Sequence, residues 1–202
     1  QQSAQESEEE LQSVSLEAFL NVALGAGSLI AGELGLAFDP DDETLRSKLR
    51  EYSLLFASQV MSSTRRELFS ILEKAQRERL TYTELEEELL DHFDNLSQNK
   101  AALIARTETV KMVNLGSATS YIQNGYTHLE WHAIHDKKTC PFCAAIDGKV
   151  TPSGVPFAAK GDTITGQDEN GEIVTMSVKY ENVLIPPLHP RCRCAILPAL
   201  RR

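Results

Sequence analysis

The chain has 202 residues, 42 % of them hydrophobic and 24 % charged, with a net charge of −9; this is the composition of a soluble globular protein long enough to bury a core. The charge is uneven, because residues 1–100 carry 20 acidic and 9 basic side chains while residues 101–202 carry 9 and 11. An acidic first half repels phosphate at long range, which argues against non-specific nucleic-acid binding by that half.

Residues 1–10 are polar, acidic and without periodicity, and are expected to form a disordered tail. The sequence opens on Gln1 rather than Met, so a processed product or a piece of a longer protein is expected, and without a leading basic segment it does not read as a signal peptide. From Leu11 the pattern is helical, with Leu16, Phe19, Leu20, Ala23 and Leu24 on one face. The most apolar stretch, Ala18 to Gly32, is short for a membrane span, contains Asn21 and three glycines, and lies between Glu17 and Glu33. A buried helix is the expectation there.

A second helix is expected from about Asp42 to Met61, with Leu45, Leu49, Tyr52, Leu55 and Phe56 facing inward. Ser62 or Ser63 is a candidate cap for a third, whose stripe is Leu68, Ile71, Leu72 and Ala75. Thr83 and Glu86 have capping-box spacing and open a further helix with Leu85, Leu89, Leu90 and Phe93. Glu86, Glu87 and Glu88 read as its solvated face. Ser97 introduces a long helix from Gln98 to Asn124, closed by Gly125. Residues 11–125 thus read as one helical domain.

After Gly125 the grammar changes, and residues 126–202 read as a separate small module. Tyr126 to Ile134 alternates loosely and points to a strand. Asp147-Gly148 signals a turn. Asn170-Gly171 signals a type I′ hairpin between strands at Asp162–Gly166 and Ile173–Val178, and Val183–Ile185 is a further short strand. The expected fold class is α+β: a helical N-terminal region followed by a small zinc-stabilised module built on a hairpin and a short sheet.

All four cysteines lie in that module, as Cys140-Pro-Phe-Cys143 and His189-Pro-Arg-Cys192-Arg-Cys194. A C-x-x-C turn presents two thiolates to one ion, and a His or Cys pair from a distant turn completes the tetrahedron of structural zinc. Five donors, Cys140, Cys143, His189, Cys192 and Cys194, stand for four positions, and the choice between Cys192 and Cys194 stays open. Two disulfides or a redox C-x-x-C are the alternatives, the latter without the βαβ setting such motifs have. A structural zinc site contributes on the order of 10–16 kcal/mol, against a few kcal/mol to close the roughly 45-residue loop from Cys143 to His189. Four protein ligands leave no position for water, which argues against catalysis at the metal. A rival reading is a zinc-dependent nuclease or hydrolase using His132, His135 and Asp136, but residues three apart on a strand point to opposite faces. Arg191, Arg193, Arg201 and Arg202 read as solvated surface, although such a cluster can touch phosphates.

An ordered series of residues resembles the phage head morphogenesis proteins, the phage Mu protein F-like minor capsid family. The series is Ile104-Ala105-Arg106-Thr107-Glu108-Thr109, Gly125, Trp131, Asp136, Cys140-Pro-Phe-Cys143, Asp147-Gly148 and Pro186-Pro187-Leu188-His189-Pro190-Arg191-Cys192-Arg193-Cys194. It covers about Ala101 to Pro198. The resemblance implies a virion component rather than an enzyme: a minor capsid protein inside the head that associates with the portal and other head proteins during procapsid assembly. It also implies, for some members, an influence on DNA packaging or ejection. Arg106 and Glu108 are two apart on a helix, cannot pair with each other, and are candidate domain-junction or partner contacts. Certain relatives carry toxin-like domains after the motif, so the delivery domain of a phage-derived toxin is a further alternative. The eight residues after Cys194 are expected to leave no room for one.

Overall fold

The computed structural model describes residues 2–78, 103–104 and 106–199. The capping box at Thr83, the helix expected after it and Ser97 lie outside the described residues. The chain divides into two units, Gln1–Leu20 with Glu43–Ala105, and Asn21–Asp42 with Arg106–Arg202. The second unit therefore takes in residues 21–42 and the helix before Gly125, rather than beginning at residue 126.

Helix α1 spans Gln2–Leu34. It includes residues 2–10, expected as a disordered tail, because Gln, Glu and Ala are good helix formers and no Gly or Pro interrupts them. Its buried positions are Ser15, Phe19, Ala23, Gly27 and Ala31, a stripe of fourth residues. The helix persists through Gly25 and Gly27 and ends before Gly35, which takes a positive φ of 65°. By length and composition alone, Glu9–Leu34 is long and apolar enough to cross a membrane, a test that the core helix of a soluble protein also passes; it extends beyond the Ala18 to Gly32 stretch read from sequence.

Helix α2 runs without interruption over Glu43–Glu78. The expected break at Ser62 and Ser63 does not occur, since Ser-Ser-Thr holds neither glycine nor proline and a following arginine pair favours helix. Within the first unit, Phe19 meets Tyr52 and Phe56 with ring centroids 5.5 and 5.4 Å apart. Leu45, Leu49, Ser53 and Ala57 are buried, again every fourth residue, so Leu55 lies off the stripe and is exposed.

In the second unit, helix α3 covers 106–123. Gly125, at φ 84°, ends it in a Schellman motif: Gly125 N–H donates to the Ile122 carbonyl at 3.0 Å and Tyr126 N–H to the Tyr121 carbonyl at 3.1 Å. The Tyr121 and Tyr126 rings pack edge to face over this turn. Gly116 lets α3 lie against residues 21–34, because a Cβ there would run into the Ala23 carbonyl oxygen.

Strand β1 (His128–His132) is the centre of a three-stranded antiparallel sheet in the order β2-β1-β5, with β2 at Val150–Pro152 and β5 at Ala195–Ala199. Strand β5, which the sequence did not announce, follows Cys194 directly and carries Pro198 on its outer edge, where no ladder donor is needed. Between the sheet strands lie the short helix α4 (Pro141–Ala145) and the hairpin of β3 (Thr163–Gln167) and β4 (Ile173–Ser177). Val183 contributes only an isolated bridge to Ala158. Trp131, Phe157, Leu129, Leu188 and Ile196 form the core of this unit with the buried cysteines.

The hairpin turn is not type I′. Gln167 pairs with Ile173, so the loop is longer than two residues. Gly171 alone takes positive φ, and its N–H donates to the Asp168 carbonyl. The Asp168 carboxylate accepts the N–H groups of Asn170 and Glu172 at 2.9 and 2.8 Å. This is a type I turn closed by a glycine bulge, selected by Asp168 at its first position.

Candidate metal centre

The first ligand loop is built by Asp136 and Cys140. Asp136 accepts the Lys138 N–H at 2.8 Å, and the Thr139 hydroxyl bonds back to the Ile134 carbonyl, bringing the chain round to Cys140. Cys140 then caps α4, its sulfur accepting the Cys143 N–H at 3.3 Å, with Pro141 pre-set for the first helical position. Two sulfurs one turn apart therefore face the same side. Gly166 of β3 lies directly on this turn, where a Cβ would meet the Pro141 carbonyl.

The second loop is a tight turn over His189-Pro190-Arg191-Cys192. Cys192 N–H donates to the His189 carbonyl at 3.1 Å, and Arg191 takes the left-handed φ of 67° that a type II turn requires at its third residue. His189 Nδ1 lies 2.8 Å from the Pro190 carbonyl, which can only accept, so Nδ1 carries a proton and Nε2 is the nitrogen turned toward the sulfurs. The sequence beyond Cys194 enters β5, and Asn114 of α3 fixes that entry. Its amide donates to the Cys194 carbonyl at 3.2 Å and its oxygen accepts the Ile196 N–H at 2.7 Å, so that a helix side chain satisfies the sheet edge.

All five sequence-derived donors come together. Cys140, Cys143 and His189 form one group and Cys143, Cys192 and Cys194 another, with Cys143 common to both. His189 Nε2 lies 3.0 Å from Cys140 Sγ and 3.4 Å from Cys143 Sγ, and Cys143 Sγ lies 3.6 Å from Cys192 Sγ. Zinc–sulfur bonds of about 2.3 Å and zinc–nitrogen bonds of about 2.0–2.1 Å in a tetrahedron place neighbouring donors roughly 3.5–3.8 Å apart. Two of the three separations lie near that edge and one is shorter, so a sulfur-rich set converging with one imidazole could hold a metal ion. Cys143, Cys192 and Cys194 are buried, while Cys140 and His189 are half-buried. The hydrogen bond from Cys143 and the adjacent His189 bring the Cys140 thiol down to about 4, and Cys140 in turn raises His189 to about 9. Burial among sulfurs, chiefly against Cys140, drives Cys143 upward. A cation at the centre would relieve this crowding by letting the sulfurs share the thiolate form.

Asp136 does not join the histidines. Its carboxylate takes a two-point grip from Arg193, at 2.7 and 2.6 Å, and that pairing holds it well below the usual carboxylate range. Arg193, read from sequence as solvated surface, is thus a tie between the two ligand loops. His132 and His135 do converge, with ring centroids 5.9 Å apart, because the chain leaves the strand after His132. His135 pairs with Asp147 at 3.0 Å, and Asp147 also accepts the Ala133 N–H. The trio of His132, His135 and Asp136 is therefore not assembled. Arg106 is exposed and Glu108 half-buried on α3, and neither lines the cluster. Asn114 carried one signal, a polar residue set between the apolar Met112, Val113 and Leu115.

A family model described as "Phage Mu protein F like protein" matches residues 71–197, more than half of the chain and the whole of the Cys/His cluster. Neither the comparison with curated proteins nor that with solved structures gave a match.

Proposed function

This chain belongs to the Phage Mu protein F like family of phage head morphogenesis proteins, and we propose from that premise that it is a minor capsid protein that joins the portal during procapsid assembly. The observation that carries the reading is the family match over residues 71–197, which spans both ligand loops. In this reading the protein remains in the virion head and bears on DNA packaging or ejection. Its role is non-catalytic, and Arg106 and Glu108 contact a partner or the neighbouring unit. Co-expression with the portal protein of the same phage should yield a complex that survives size-exclusion chromatography, and purified virions should contain the chain. Virions that lack it, or a portal that never retains it, would count against the reading.

The metal in this reading is one structural zinc, held by Cys140, Cys143, His189 and one or both of Cys192 and Cys194. What supports it is the donor chemistry: thiolates and one imidazole nitrogen in a loop-closing arrangement. When bound, the ion supplies a cross-link and no reaction. The chain's own residues do the rest: Pro190 sets the His189 tautomer, Arg193 and Asp136 tie the loops, and Gly166 seats the hairpin. Elemental analysis of the purified chain should return about one zinc per chain. A metal-free chain that folds unchanged in a chelator would refute this assignment.

A further inference from the structure

We propose that Trp131 is an outer-shell residue of the metal centre, its indole N–H donating to the sulfur of Cys194 and so fixing Cys194 as a metal-bound thiolate. The inference rests on the metal reading above and goes beyond it by choosing a ligand and naming its hydrogen-bond donor.

Trp131 is completely buried, and its indole N–H has no hydrogen-bond partner among the described residues. A buried donor without an acceptor is rare and unfavourable, and here it marks where an acceptor belongs. Strand register says which one. Trp131 stands opposite Ile196 in the β1–β5 pair, so the two side chains share a face. Cys194 precedes Ile196 by two residues and falls on the same side, as the diagonal neighbour that an aromatic ring can reach. Both side chains belong to the same buried cluster of this unit. Cys194 is only 4 % exposed and belongs to the fully buried group with Cys143 and Cys192.

The chemistry explains the arrangement. A neutral thiol is a weak acceptor and leaves the indole donor nearly unsatisfied. A metal-bound thiolate carries charge in a dry environment and takes the N–H as a charge-assisted bond. Asn114 holds the Cys194 carbonyl from α3, so the backbone that presents this sulfur is anchored as well. Cys194 is thus the donor that this proposal pairs with the indole N–H left without a partner among the described residues.

The chain has a single tryptophan, hence one indole N–H resonance. The full chain, labelled with nitrogen-15, is loaded with cadmium-113. The expected result is a downfield shift of the indole proton and a splitting of that resonance by the cadmium nucleus, transmitted through the N–H to sulfur bond. Cys194→Ala should remove the splitting, and Trp131→Phe should weaken cadmium binding by about tenfold. If either variant fails to fold, the spectrum of the unaltered chain still decides. A cadmium resonance in the sulfur-ligand range with an unsplit, unmoved indole signal overturns the proposal while leaving the metal reading intact. No cadmium resonance at all overturns both.

Discussion

Arg193 and Asp136, 57 residues apart in sequence, meet through two parallel hydrogen bonds, Nη1 to Oδ2 at 2.7 Å and Nη2 to Oδ1 at 2.6 Å. Arg193 sits between Cys192 and Cys194, and Asp136 begins the turn that delivers Cys140, so this planar pairing fixes the spacing of the two ligand loops. Lysine cannot reproduce the fork. Arg193→Lys and Asp136→Asn are each expected to weaken metal binding by about tenfold, in the range of outer-shell substitutions. Competition with a chromogenic chelator measures this, and wild-type affinity in both variants would refute it.

The same pair has a defined pH signature. Because Arg193 depresses the Asp136 carboxyl in the folded chain, its contribution is present above the unfolded carboxyl value of about 3.9 and is lost as pH falls through the lower folded value. The gap in denaturation midpoint between wild type and Asp136→Asn should therefore hold from neutral pH down to about pH 4 and close below it. A gap that closes between about pH 8 and pH 6 would point to a different group.

Cys143 belongs to both donor groups, whereas the others belong to one each. Cys143→Ala is expected to abolish metal binding and to lower the thermal midpoint as far as chelation does, since loss of structural zinc removes on the order of 10 kcal/mol. Cys192→Ala should reduce affinity without eliminating it, because Cys140, Cys143 and His189 remain together as one intact group. Calorimetry with and without chelator separates the two, and equal loss in both variants would remove the argument from a shared sulfur.

Asn114 satisfies two backbone groups at the edge of β5, the Cys194 carbonyl and the Ile196 N–H. Asn114→Leu keeps the volume but strands both, each at about 1–3 kcal/mol. Asn114→Asp keeps the acceptor for Ile196 and loses the donor to Cys194, so it should rank between wild type and the leucine variant near neutral pH. Urea unfolding gives the order, and a leucine variant as stable as wild type contradicts it.

Gly116 and Gly166 are required by contact rather than by backbone angle. At each, a methyl group would press on a carbonyl, of Ala23 and of Pro141 respectively. Each change to alanine is expected to destabilise by about 1–3 kcal/mol through overpacking. Gly166→Ala should in addition lower metal affinity, because it displaces the Cys140–Cys143 turn; Gly116→Ala should not. Paired stability and affinity measurements test the difference.

Local grammar alone settled a good deal. The C-x-x-C and H-x-x-C-x-C spacings, the Gly125 helix stop and the alternation around Trp131 all act through neighbours within a few residues, and each stands where the sequence placed it. Even the misread hairpin turn was local, since Asp168 competes with Asn170-Gly171 for the choice of turn. What sequence could not give were relations between distant segments. The tie from Arg193 to Asp136, the bonds from Asn114 to the edge of β5, the pairing of β5 with β1 and the packing of Trp131 on Phe157 join residues tens of positions apart. A one-dimensional pattern cannot encode which of several arginines finds which carboxylate; packing decides that. The donor types and their spacing were written in the sequence, and the fold supplied the shell that holds them in place.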